Sequence, residues 1–240
     1  MPNSFFQFKQ FTVHQDRCAM KVTTDACLFG AWCAAEIGRA DKEESLLDIG
    51  TGTGLLSLMI AQEQKLLIDA VEIDPNAAAQ AGENVSSSPF AARIRIVEGD
   101  VANVQTKALY DHIVSNPPFY EHELLSKNMD RNIAHHGQAL TVSSLLPLLA
   151  RMLKQKGRFY LLLPFKRIDE INALVKAEGL FIHRQVAVRQ TPSHPPFRLM
   201  ISGGLFEEEG SPADDITIAT GNGSYTPEFT RLLQAYYLRL

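Results

Sequence analysis

The sequence predicts an α/β fold. Three layers are expected, with helices on both faces of a mostly parallel sheet, an antiparallel edge hairpin and an N-terminal cap. Three observations carry that expectation. From Ser45 onward, short β-rich runs alternate with helix-length segments, the pattern of βαβ units. The first strand runs into Asp48-Ile49-Gly50-Thr51-Gly52-Thr53-Gly54, a turn with three glycines at alternate positions. A later apolar run, Tyr110 to Ser115, ends abruptly in Asn116-Pro117-Pro118-Phe119. Pro117 and Pro118 lack N–H groups and cannot continue a sheet ladder, so the strand must stop at Ser115 or Asn116. Asn116 is thereby presented at the lip of the sheet, where open α/β sheets bind ligands.

Taken in order, Phe5 to Val13 alternates aromatic and polar residues and reads as a short strand or hairpin arm. A helix follows, capped by Thr23 or Thr24, with Asp25 at its positive end, Leu28, Phe29, Trp32 and Ile37 on one face, and Gly38 as its stop. Strands are expected at 46–49, 67–73, 94–98, 110–115 and 158–163. Helices are expected at 54–64, 75–85 and 142–154, and Gly157 reads as the turn into the last of those strands. A helix over 168–177 ends at Gly179, and 181–189 with 197–206 forms a final strand pair. An acidic segment at 207–215 leads to a strand-like 216–219 and a closing helix from Pro227. No repeat or long low-complexity linker interrupts the chain, which reads as one domain over 1–240. Its parts are an arm and cap helix (1–44), a core (45–206) and a C-terminal extension (207–240).

Hydrophobic residues make up 45% and charged ones 21%, as in ordinary soluble globular chains, which excludes a disordered protein. The start lacks the basic then apolar blocks of a signal peptide, and no run approaches the ~18 apolar residues of a spanning helix. A cytoplasmic protein without membrane contact is expected. Cys18, Cys27 and Cys33 show no C-x-x-C spacing and read as reduced, buried thiols; no metal site is expected. Adjacent His135 and His136 do not face the same way and read as a solvated or RNA-contacting pair. The net charge of −4 conceals an asymmetry, because residues 127–198 carry 12 Lys+Arg against 4 Asp+Glu, a local +8. Such a segment can be a footprint for phosphates or an ordinary set of solvated helix faces.

The glycine turn does not match the G-x-G-x-x-G of nicotinamide cofactors, since Leu55 stands where the third glycine would fall. Gly50, Gly52 and Gly54 still let the backbone turn tightly and approach a ligand at a helix N-terminus. Asp48 before it is an acidic group suited to a cationic ligand. Glu72, 22 residues after Gly50 at the end of the second strand, can accept both hydrogen bonds of a ribose diol. Asp100, after the third strand, can accept from an adenine amino group. Each has a plainer reading: Asp48 as a turn cap, Glu72 or Asp74 as a helix N-cap, Asp100 as a cap for the next segment. Jointly they read as a cofactor cradle.

Asp48-Ile-Gly-Thr-Gly-Thr-Gly54, Glu72-Ile-Asp-Pro75 and Asn116-Pro-Pro-Phe119 resemble the three signature elements of class I S-adenosylmethionine-dependent amino-methyltransferases. Phe8-Lys-Gln-Phe11, Asp16-Arg-Cys-Ala-Met-Lys-Val22, Thr24-Asp25 and Tyr225-Thr-Pro-Glu-Phe-Thr-Arg-Leu-Leu233 resemble the bacterial tRNA1(Val) (adenine(37)-N6)-methyltransferase family, extending the likeness from end to end. The resemblance implies a Rossmann-like class I fold, S-adenosylmethionine as donor, S-adenosylhomocysteine as product, and tRNA as partner. The implied target is the adenine immediately 3′ of the anticodon. It implies cofactor binding by Asp48, Gly50, Gly52, Gly54, Glu72 and Asp100, and catalysis at Asn116, Pro117, Pro118 and Phe119. Phe119 stands where many relatives carry Tyr, keeping the stacking face without the hydroxyl.

The chemistry explains these residue types. An exocyclic amine is a poor nucleophile because its lone pair is conjugated into the ring. The Asn116 side-chain carbonyl and the Pro117 backbone carbonyl can accept its two hydrogens and turn the lone pair toward the methyl group. No base is needed beforehand, since the cationic product nitrogen is acidic. Phe119 would stack on the extruded base. Lys9, Arg17, Lys21, Arg131, Arg189 and Arg198 are the candidates for gripping RNA phosphates, the last two flanking a Pro-rich hairpin tip. Two alternatives stand beside this. A protein glutamine presents the same two hydrogens for N5-methylation. A non-catalytic cofactor- or RNA-binding module is the other, disfavoured by intact Asn116, Pro117 and Phe119.

Overall fold

The computed structural model describes residues 3–38, 43–104, 109–118, 140–208 and 213–240. Strands β1 (Phe5–Gln7) and β2 (Thr12–His14) pair antiparallel in a hairpin of their own. Helix α1 (Thr24–Ile37) begins where the Thr23 hydroxyl accepts from the Ala26 N–H and ends at Gly38. The expected alternation follows: β3 (Ser45–Ile49), α2 (Leu55–Glu63), β4 (Leu67–Glu72), α3 (Pro75–Ser86), β5 (Ile94–Glu98) and β6 (Tyr110–Ser115). Pro75 opens α3 because its missing N–H is not needed in the first turn, and the Asp74 carboxylate caps it by accepting from the Ala77 N–H. The second half holds α4 (Val142–Met152), β7 (Leu153–Pro164), α5 (Ile168–Ala177), β8 (Phe181–Arg189), β9 (Arg198–Gly204), β10 (Asp214–Thr217) and α6 (Pro227–Leu233).

Strands β3 to β10 form one sheet in the order β10-β8-β9-β7-β6-β3-β4-β5. Pairing is parallel except where β9 meets β7 and β8. The β8–β9 hairpin is antiparallel as expected, and β10 lies outside it, parallel to β8. Side chains alternate across the sheet, as strand geometry requires. Leu46, Ile68, Val114, Tyr160 and Met200 pack toward α1, α2, the N-terminal hairpin and α6, whereas Leu47, Ile113, Phe159, Leu161 and Ile201 pack toward α4 and α5. Both faces are thus covered, so the strands are near-continuous apolar runs.

One expectation fails at β7. Gly157 is not a turn, and α4 stops at Met152, before Lys154. The chain goes directly from helix to strand, and the register with β6 shifts between Tyr110↔Leu153 and His112↔Arg158. Lys154, within that bulge, donates to both Asp111 carboxylate oxygens at 2.8 and 2.9 Å. A Cβ on Gly157 would lie 2.9 Å from the Asp111 carbonyl oxygen and from the Leu153 side chain, so close backbone approach, not turning, explains the glycine. Gly157→Ala is expected to destabilise by about 1–3 kcal/mol through overpacking. Gly82→Ala, on α3 with open space around the added methyl, is expected to stabilise by about 0.5–1 kcal/mol. Urea unfolding of both variants checks the pair; a neutral Gly157→Ala contradicts the packing account.

Candidate active site

Parallel pairing brings the C-terminal ends of β3, β4, β5 and β6 to one edge of the sheet, with Ile49 level with Val71 and Ser115, and Glu72 level with Glu98. Each candidate residue sits immediately beyond one of those ends. Gly50, Gly52 and Gly54 adopt φ of 70°, 57° and 82°, which only glycine accepts without cost. The N–H groups of Gly50 and Thr51 both donate to the Val71 carbonyl, that of Gly54 to Thr51, and that of Gly52 to Glu72 Oε2 at 2.8 Å. These donors are spent inside the chain, so this is not a phosphate nest of the dinucleotide type.

Two carboxylates brace the turn differently. Asp48, expected to face a cationic ligand, is fully buried and does not line the cavity. Its Oδ2 accepts the hydroxyls of Thr51 at 2.6 Å and Ser57 at 2.7 Å. Burial pushes its pKa up to about 6, against the opposing pull of those two hydroxyls. It acts through the turn. Glu72 does line the cavity, with Oε2 held by Gly52 and Oε1 accepting from the Asp74 N–H at 3.0 Å. Each oxygen keeps acceptor capacity for a further hydroxyl. Asp100 also lines the cavity while accepting from the Ala102 N–H and the Asn103 side chain, so it both caps a turn and faces the ligand space.

A wall of the cavity comes from residues 17–22, which connect the N-terminal hairpin to α1. Three buried carboxamides seat that connector. Asn84 of α3 donates to the His14 and Thr53 carbonyls at 2.8 and 2.9 Å and accepts from the His14 N–H. Gln80, one turn earlier, accepts from the Arg17 N–H, and Gln15 accepts from the Val22 N–H. Nothing in the sequence reading pointed to Asn84 or Gln80. Met20 and Ile73, also missed, line the cavity with about half of their surface exposed. The position of Ile73 directly after Glu72 was the available signal.

The cavity has a volume of about 690 Å³, within the size range of small-molecule sites. Asn116 and Pro118 close it on the β6 side. The Ser115 hydroxyl donates to the Ile49 carbonyl at 2.8 Å, locking the end of β6 to the start of the glycine turn. Asn116 Oδ1 is buried and has no hydrogen-bond partner among the described residues. Phe119 and Arg131, with His135 and His136, lie outside the described residues. Among the described residues no group of three or more His, Cys, Asp or Glu is placed to hold a metal ion. Cys18, Cys27 and Cys33 are unpaired and buried.

The proposed RNA-gripping residues separate. Arg17 and Lys21 line the cavity, Arg17 pairing with Glu83 and Lys21 donating to the Gln15 carbonyl. Lys9, Arg189 and Arg198 do not line it. Lys9 donates to the Gln234 carbonyl, Arg189 pairs with Asp215, and Arg198 pairs with Asp25. Each is engaged by a group distant in sequence.

Asp48 yields a test of the buried turn. Its folded pKa lies above the unfolded value, so its contribution to stability is full below about pH 4 and is lost as pH rises through about 6. Asp48→Asn keeps the shape without the charge. Its stability relative to wild type should therefore rise by on the order of 2–3 kcal/mol between about pH 4 and about pH 7. Denaturant unfolding across that range measures it, and a pH-independent difference contradicts the assignment.

Residues 34–163 match the methyltransferase small domain family. A tRNA1(Val) (adenine(37)-N6)-methyltransferase of Dyadobacter fermentans is 42% identical, covering 99% of this chain and 98% of the relative. One of the same name from Bacteroides thetaiotaomicron is 39% identical, covering 100% of both chains. Among solved structures, a predicted O-methyltransferase of Agrobacterium tumefaciens superposes with a TM-score of 0.61 at 18% identity, covering 88% of this chain and 96% of that one, a likeness of fold alone. The glycine turn, the strand-end carboxylates and Asn-Pro-Pro thus sit in a chain that matches its relatives from end to end, and it belongs to the tRNA1(Val) (adenine(37)-N6)-methyltransferase family.

Proposed function

We propose that this chain transfers the methyl group of S-adenosylmethionine to the N6 amine of an adenine in tRNA, the adenine 37 of tRNA1(Val) that the shared name of its relatives specifies. One observation carries the reading: a buried carbonyl oxygen, Asn116 Oδ1, without a partner among the described residues and on a residue that walls the same cavity as Glu72 and the glycine turn. An unmet buried acceptor costs about 1–3 kcal/mol, which a ligand bringing N–H groups recovers.

The residues present fit the donor. The internally bonded glycine turn leaves no phosphate nest, as suits a ligand without phosphate, and Glu72 and Asp100 present carboxylates to a cation. Glu72 would hold the ribose hydroxyls and Asp100 the adenine amine. When bound, S-adenosylmethionine supplies a methyl group made electrophilic by its sulfonium.

The chain's own work is positioning. Asn116 Oδ1 and the Pro117 carbonyl accept the two N6 hydrogens, which draws the nitrogen lone pair out of conjugation and fixes its direction. The Ser115–Ile49 hydrogen bond holds that acceptor at a set distance from the donor cradle. The methylated nitrogen is cationic and acidic, so it releases its proton to water. Phe119 supplies a stacking face for the base once it leaves its stack.

The test is labelled-methyl transfer to total tRNA and, separately, to release-factor protein; label on protein and none on tRNA overturns the substrate. Asn116→Ala should cut the rate by about 10²–10³-fold while leaving S-adenosylhomocysteine affinity unchanged by calorimetry. Glu72→Ala should do the reverse, weakening that affinity by about 1.5–3 kcal/mol. Residual activity within about tenfold in the first variant, or unaltered affinity in a folded second one, contradicts the assigned roles.

A further inference from the structure

The C-terminal edge of the sheet divides at β6. On one side, the ends of β3, β4 and β5 are taken up by the donor cavity. On the other, β7, β9 and β8 bring the Phe165–Arg167 turn, Arg198 and Arg189 to the same edge. Pro164 is level with Arg198, Arg198 with Val188, and the Phe165 N–H donates to the Phe197 carbonyl at 3.2 Å. With strands about 5 Å apart, this basic edge starts beside Asn116 and runs about 15 Å away from it. It belongs to the 127–198 segment of net +8, whereas the rest of the chain carries 11 Lys+Arg against 23 Asp+Glu. A base seated on Asn116 must leave its flanking backbone on the side that the donor does not fill.

The ion pairs on this edge are not equivalent. Arg167–Glu170 and Arg189–Asp215 join arginines that are partly exposed, at 35% and 33%, to carboxylates that are well exposed, at 52% and 47%. Pairs of that kind contribute about 0–1 kcal/mol, so a phosphate can replace the carboxylate. Arg198–Asp25 differs, because the Asp25 side chain is only 12% exposed and lies in the first turn of α1. It is a strut between the cap helix and β9.

We propose that this edge grips the phosphodiester backbone of the RNA substrate through Lys166, Arg167 and Arg189, with Arg198 serving structure instead; this rests on the tRNA reading above. The test is tRNA affinity, by filter retention across a salt series, for wild type, a Lys166→Ala/Arg167→Ala/Arg189→Ala triple variant and Arg198→Ala. S-adenosylhomocysteine calorimetry on each reports an intact donor site. Each lost phosphate contact on single-stranded RNA should reduce the log–log salt slope by about 0.7, so the triple variant should lose about 2 and bind at least about tenfold more weakly near 0.1 M salt. Arg198→Ala should keep the wild-type slope and melt at a lower temperature. Lys166→Gln, a single exposed neutralisation, should lose about 0.7 of slope even if the triple variant folds poorly. A wild-type slope in either Lys166 variant overturns the surface alone. Absence of tRNA binding by wild type that still binds S-adenosylhomocysteine overturns the substrate reading with it.

Discussion

A carboxylate sealed from water at the foot of the glycine turn sets the shape of everything above it. Asp48 meets no cation among the described residues within bonding distance; two hydroxyls, from Thr51 and Ser57, hold one of its oxygens. Because Thr51 also donates its N–H to Val71 and accepts from Gly54, the turn is tied at once to β3, β4 and the first residues of α2. Glu72 adds the tie to Gly52. A buried charge is costly, and a site that needs fixed geometry is where such a cost is retained. The glycine turn is therefore braced by the chain's own groups.

From that braced turn the sheet carries the geometry sideways. Ser115 bonds to Ile49, so the Asn116 acceptor and the glycine turn are one hydrogen bond apart in the scaffold. Direct transfer between two neutral-to-cationic partners asks little acid–base chemistry of the protein and much precision of placement. Of the charged groups that line the cavity, Arg17, Lys21, Glu72 and Asp100 are already engaged within the chain.

Much of this was legible in one dimension, because the signals were local. Alternating periods gave the βαβ units, two prolines gave the end of β6, and three alternate glycines gave a turn whose φ values are indeed positive. What stayed hidden depended on partners far along the chain. Asn84 reads as an ordinary polar helix residue until its bonds to His14, 70 positions earlier, are seen. Arg198 reads as a free cation until Asp25, 173 positions away, is found beside it. Gly157 looked like a turn because its real neighbour, the Asp111 carbonyl, belongs to the adjacent strand. Asp48 was legible both as a partner for a cationic ligand and as a turn cap, and its burial, visible only in the fold, favours the second.

The N-terminal hairpin is also tied to the far end of the chain. Phe8 bridges to Tyr237, the Lys9 N–H donates to the Tyr236 carbonyl at 2.8 Å, and the Phe8 and Tyr237 rings sit 6.0 Å apart. The connector that walls the cavity hangs from that same hairpin. During synthesis the carboxamides that seat the connector emerge early, whereas the second anchor of its hairpin, Tyr236 and Tyr237, arrives only after α6. Contacts of that sequence separation form late, since the loop they close is nearly the whole chain. The wall of the cavity is thus anchored twice, by α3 and by the segment that follows α6, and a change at either anchor reaches the cavity through the hairpin.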